Sequence, residues 1–135
     1  MRTRAKICGI TRVQDIKAVV DAGADAIGFV FFPPSPRSVN KAEAIALVQA
    51  VPTYVQVVGL FVNATADEIA EILKDVHLDI LQFHGDESPE QCQQIANHVR
   101  RRWYKAIQVK PDLNLIQCIE QYQHAGASAI LLDAW

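Results

Sequence analysis

Apolar positions along this chain follow two rhythms that alternate from end to end. Short runs of β-branched, aromatic and other apolar residues occur at "AKICG" (5–9), "DAIGFVFF" (25–32), "YVQVVGLFV" (54–62), "LDILQFHG" (78–85), "WYKAIQV" (103–109) and "SAILLD" (128–133). Between them lie longer segments whose apolar residues recur at three- and four-residue spacing, the mark of one buried helical face. Val13, Ile16, Val19 and Val20 form the first such face, with Thr11 placed to cap it and Gly23 to end it. Ile45, Leu47 and Val48 follow a possible cap at Asn40, and Pro52 closes that helix. Thr65 opens a helix with Ile69, Ile72 and Leu73 inward and Asp67, Glu68 and Glu71 outward. Ser88-Pro89-Glu90 reads as a cap with proline at the first helical position, ahead of the stripe Cys92, Ile95, Ala96 and Val99. Leu115, Ile116, Ile119 and Tyr122 mark a fifth helix that ends at Gly126.

Strands that alternate with helices of this length imply right-handed βαβ crossovers and a parallel sheet. An internal echo narrows the architecture. "DAGADAIGFV" (21–30) and "HAGASAILLD" (124–133) share Ala-Gly-Ala at a helix end and Ala-Ile at a strand start, and "VHLDILQF" (76–83) stands between them as a weaker copy. Each step spans two βα units, so alternate strands begin in similar surroundings, as they do in a (β/α)₈ barrel. The competing explanation is that Ala-Gly-Ala makes a tight turn in any α/β fold. No G-x-G-x-x-G follows a strand, which counts against a dinucleotide-binding sheet. The expected fold is α/β, a TIM (β/α)₈-barrel family member carrying strands one to six only, with residues 1–135 forming a single partial barrel domain. A full barrel needs about 200 residues or more, so six strands leave it two βα units short.

Composition removes several classes of function. The 135 residues are 50% hydrophobic and 21% charged with a net charge of -2, so no basic field points to nucleic acid. The densest basic run, Arg100-Arg101-Arg102, reads as a solvated turn. No run approaches the ~18 apolar residues of a membrane span, and the N-terminus lacks a signal peptide's apolar stretch. Three cysteines, Cys8, Cys92 and Cys118, form no CxxC pair and suit a reducing, cytoplasmic compartment. No His/Cys/carboxylate cluster has metal-ligand spacing, so neither a metal nor a cofactor is expected.

Reactive groups in parallel α/β folds sit at the C-terminal ends of strands. Those ends carry Cys8, the Pro-rich loop with Arg37, Asn63, Gln82 with His84 and Asp86, Lys110, and Asp133. Period-2 alternation puts Lys6 and Cys8 on one face of the first strand, and Ile80, Gln82 and His84 on one face of the fourth. An ammonium near a thiol favours the thiolate, so Lys6 is a candidate modulator of Cys8 as base or nucleophile. Against this stands the plain reading of Cys8 as a small buried hydrophobe. Arg37 is either a guanidinium held over a carboxylate or phosphate, or a surface arginine. His84-Gly85-Asp86 is either part of a pocket or a solvated turn, and Cys92 and Cys118 fall on helix stripes as core residues. Asp133 follows Ile130-Leu131-Leu132, where partial desolvation would favour a general acid. A base on strand one and an acid on strand six point to cofactor-free proton transfer on a carbonyl-type or sugar-phosphate substrate.

"KICGIT", "GADAIGFVFFPPSPRSV", "VVGLFVN", "LQFHGDESPE" and "ILLDA" occur in this order with barrel spacing. Together they resemble the phosphoribosylanthranilate isomerase family over essentially the whole chain. The resemblance implies an intramolecular aldose–ketose isomerase of tryptophan biosynthesis. It would convert N-(5'-phosphoribosyl)anthranilate to 1-(2-carboxyphenylamino)-1-deoxy-D-ribulose 5-phosphate by an Amadori rearrangement without metal or cofactor. It implies Cys8 as general base, Asp133 as general acid, Arg37 on the anthranilate carboxylate, and Gln82 and His84 lining the pocket. The family's phosphate grip follows strands six to eight, and those later segments have no counterpart in these residues. The resemblance therefore implies the first three-quarters of the enzyme. The implied partner is a small phosphorylated substrate. Two other expectations stand beside it: an inactive folding or assembly module, and self-association through the open edges of an incomplete barrel.

Overall fold

A computed structural model describes all residues, 1–135. The elements in chain order are β1 (Lys6–Cys8), α1 (Val13–Asp21), β2 (Ala26–Val30), α2 (Lys41–Gln49), β3 (Gln56–Phe61), α3 (Ala66–Leu73), β4 (Ile80–Phe83), α4 (Pro89–Val99), β5 (Arg102–Val109), α5 (Leu115–His124) and β6 (Ala129–Ala134). All six strands pair in parallel in the order of the chain. Every expected strand and helix forms.

The sheet is rolled into part of a barrel. Lys6 on β1 and Gln82 on β4 are three strands apart, about 14 Å in a flat sheet at ~4.8 Å per strand, yet their side chains hydrogen-bond at 2.7 Å. The main core lies between the sheet and the helices. Ile27, Phe29, Phe61, Leu81 and Phe83 from the strands meet Ile16, Ala44, Leu47, Ile69, Cys92 and Ala96 from the helices, all buried. Phe31 stacks on Phe61 with centroids 5.3 Å apart, and Phe83 meets Trp103 edge-on at 5.7 Å.

Local chemistry sets the helix ends. Asn40, Thr65 and Ser88 each close a reciprocal capping box with Glu43, Glu68 and Gln91. Gly23 and Gly126 follow the last turns of α1 and α5 with φ of +93° and +108°, a conformation open to residues without a Cβ. Thus the Ala-Gly-Ala echo corresponds to two copies of one helix stop. The third copy matches in another way: Asp25 and Asp79 each accept a backbone N–H at 2.8 Å, from Ala5 and Val57 on the preceding segment.

Four details depart from the sequence reading. Arg12, not Thr11, is the α1 N-cap; its side chain makes no cap bond and pairs with Asp15 instead. Val13 and Ile116, in the first turns of α1 and α5, are 50% and 72% exposed rather than part of the buried stripes. Cys118 is half-buried, since α5 is peripheral and buries no residue completely. Arg101 is not a solvated turn residue: its guanidinium donates to the Leu78, Val99 and Arg100 carbonyls, tying the end of α4 to the approach to β4.

Candidate active site

Lys6 and Cys8 on β1 stand on the same face as Gln82 on β4, the concave face of the sheet. Cys8 pairs in register with Gly28. A Cβ on Gly28 would lie 2.8 Å from the Cys8 Sγ, so only glycine leaves room for the thiol. An isolated glycine inside a strand is the signal that marks this neighbour in "DAIGFVFF". The hydroxyl of Tyr104, on β5, is pushed up to about 12 by burial, and the charge of a Cys8 thiolate adds to the effect.

Arg37 reaches the same spot from the loop after β2. Ser38 bridges Val30, the Val39 N–H donates to the Val30 carbonyl at 2.8 Å, and Val39 is buried, so the loop is pinned where the strand ends. The Arg37 guanidinium then lies across Gly9 and donates from Nη1 to the Cys8 carbonyl at 3.3 Å. A Cβ on Gly9 would fall within 2.6 Å of that guanidinium. This places the arginine beside Cys8.

A second group assembles on the concave face. Lys6 Nζ donates to Gln82 Oε1 at 2.7 Å, Gln82 Nε2 lies 3.0 Å from His84 Nδ1, and His84 Nε2 lies 3.1 Å from Asp133 Oδ2. Gln82 is fully buried, and Lys6 also lies over the Tyr104 ring at 5.9 Å. Asp133 is 41% exposed because β6 is an edge with no strand beyond it. No hydrogen bond joins Cys8 to Asp133; they occupy the two edge strands, each with its own partners.

Sequence reasoning missed what holds the floor of this region. Glu87 and Lys105 are both 4% exposed and paired at 2.9 Å. The Glu87 carboxylate also accepts the N–H groups of Asn63 and Gly85, Lys105 donates to the Gly85 carbonyl, and the Tyr122 hydroxyl donates to the Glu87 carbonyl. These bonds fasten the loops after β3 and β4 to β5, and His84 sits at the start of the second loop. Burial also raises the Tyr122 hydroxyl above its ordinary range and pushes the Cys92 thiol up to about 12. The available signal was Lys105 itself, a cation in the middle of β5 flanked by Trp103, Tyr104, Ala106 and Ile107. No group of three or more His, Cys, Asp or Glu converges as a metal-binding set would require. No helix is long and apolar enough to cross a membrane.

Comparison with known proteins places this arrangement in one family. The family model described as "N-(5'phosphoribosyl)anthranilate (PRA) isomerase" matches residues 5–134. The Acinetobacter calcoaceticus N-(5'-phosphoribosyl)anthranilate isomerase is 70% identical over all of this chain, which covers 63% of that protein. The Thiobacillus denitrificans isomerase is 51% identical, again over the whole chain and 63% of the relative. The crystal structure of the Thermotoga maritima isomerase superposes with a TM-score of 0.88 at 35% identity, covering 99% of this chain and 62% of that one. A phosphoribosyl anthranilate isomerase solved in complex with reduced 1-(o-carboxyphenylamino)-1-deoxyribulose 5-phosphate gives a TM-score of 0.88 at 35% identity, covering 99% and 66%. This chain thus spans a little over three-fifths of the length of its relatives. With a six-stranded partial barrel, a matching family model and relatives that align from end to end of these residues, the chain belongs to the N-(5'-phosphoribosyl)anthranilate isomerase family.

Proposed function

We propose that residues 1–135 form one partial (β/α)₈-barrel domain carrying the acid and base of an N-(5'-phosphoribosyl)anthranilate isomerase. The observation that carries this reading is the placement of Arg37 against Cys8 on one edge strand and of His84 against Asp133 on the other. Family membership supports it. In this reading Asp133 protonates the ribose ring oxygen, the furanose opens to a Schiff base, and Cys8 removes the C2 proton. The enolamine then tautomerises to the ketone. Both catalytic steps are proton transfers, which general acid–base groups suffice to promote. Arg37 offers a fork of donors to the anthranilate carboxylate, and Lys6 supplies positive charge on the face that Cys8 shares. The family resemblance implies that the substrate's phosphate is gripped after strands six to eight. Three free cysteines fit a cytoplasmic setting.

The test uses this segment completed with the C-terminal part of the Acinetobacter relative. Cys8→Ala and Asp133→Asn should each lower turnover by ~10²-fold or more, the scale of general acid–base catalysis. Losses below tenfold for both would overturn the assignment. A second reading, an inactive assembly module, is favoured by apolar residues on the edge strands: Ile7 and Leu132 are 40% and 54% exposed. Measurable turnover by the 135-residue chain alone would sink that reading.

A further inference from the structure

The four side chains from Lys6 to Asp133 form one continuous hydrogen-bonded chain, and its donors and acceptors fit together in one way. An ammonium has three donors and no acceptor, so the oxygen of the Gln82 amide must face Lys6. The amide nitrogen, which only donates, then faces His84 Nδ1 at 3.0 Å. Nδ1 must therefore carry the lone pair, and the ring proton resides on Nε2, 3.1 Å from Asp133 Oδ2. The Gln82 amide is 2% exposed. Turning it over would set a buried NH₂ donor against an ammonium that can only donate.

We propose that Lys6 and Gln82 are positioning residues that act through His84, locking its imidazole in the Nε2–H tautomer and so orienting the Asp133 carboxylate. The other carboxylate oxygen, Oδ1, accepts the Ala134 N–H at 3.0 Å, so both oxygens of Asp133 are directed. A cation on β1 thereby sets the orientation of a carboxylate on β6 through β4. The catalytic meaning of this relay rests on Asp133 being the acid proposed above; the tautomer itself does not.

Histidine-selective ¹⁵N NMR at about pH 8, above the ordinary imidazole range, reads the tautomer directly. A His84→Asn variant assigns the signal among the four histidines. Nδ1 should resonate as an unprotonated nitrogen and Nε2 as a protonated one. In Gln82→Glu the carboxylate accepts from both neighbours, and Nδ1 should gain a proton. In Lys6→Met the amide is free to turn, and the Nε2–H preference should fall by about tenfold, the worth of one charge-assisted hydrogen bond. Lys6→Arg, which also only donates, should restore it. An Nδ1–H tautomer in the unaltered chain, or an unchanged ring in both Gln82→Glu and Lys6→Met, would overturn the proposal. If Lys6→Met does not fold, by circular dichroism, Gln82→Glu alone decides between the same outcomes. Turnover does not enter the measurement, so failure of the isomerase reading and failure of the relay remain distinguishable.

Discussion

Lys105 and Glu87 show how much of this site rests on a buried ion pair beneath it. Both are almost wholly buried, and every polar atom they bury has a partner. Such a pair is worth less than its geometry suggests when both members are replaced together, yet breaking it from one side strands a charge in low dielectric. Lys105→Met should therefore destabilise the chain by about 3–5 kcal/mol, read from the denaturant midpoint at an unchanged slope. Lys105→Met combined with Glu87→Gln should recover part of that loss. If the single variant costs under 1 kcal/mol, the loops after β3 and β4 are held by something else. Cys8 depends on its surroundings in a different way. Its thiol occupies space that Gly28 leaves open, so the requirement falls on the neighbouring strand rather than on the cysteine.

At the scale of the element, the helices divide by how they start. The caps of α2, α3 and α4 each satisfy two orphan N–H groups reciprocally, whereas the side chain at the α1 N-cap satisfies none. Asn40→Ala, Thr65→Ala and Ser88→Ala should each cost about 1 kcal/mol. Thr11→Ala should cost only a few tenths, as for an ordinary surface substitution. Thermal or denaturant unfolding of the four variants checks the contrast, and an equal cost for Thr11 would mean that it caps after all. The strands divide by what covers them. From β2 to β4 each strand is flanked on both sides and its inner residues are buried, while β1 and β6 bury no residue completely. The positions assigned to acid and base lie on these two least covered strands.

For the molecule as a whole, the outer strands β1 and β6 each leave an unpaired edge with an exposed apolar residue, Ile7 and Leu132. Unpaired N–H and C=O groups in a row are templates for another chain. The 135-residue chain on its own should show an apparent mass that rises with concentration. Ile7→Lys and Leu132→Lys should suppress that rise, by placing charge on the exposed apolar positions. Analytical ultracentrifugation across a hundredfold range tests this; a constant monomer mass would show the edges to be self-limiting. The alternation of strand and helix, the caps at Asn40, Thr65 and Ser88, the two glycine stops and the pairing of Lys6 with Cys8, and of Gln82 with His84, on one face of a strand were all legible from spacing alone, because periods of 2 and 3.6 and the chemistry of helix ends are local. Position at strand ends pointed to Arg37 and Asp133, and the family motifs named the same two residues. The rest depended on which strands face one another across a curled sheet. That Lys6 meets Gln82, that His84 bridges to Asp133, that Lys105 finds Glu87 and that Arg101 reaches the Leu78 carbonyl are contacts between residues 18 to 76 positions apart. No local period encodes such distances; curvature and register decide them, and these follow from packing the whole sheet against its helices.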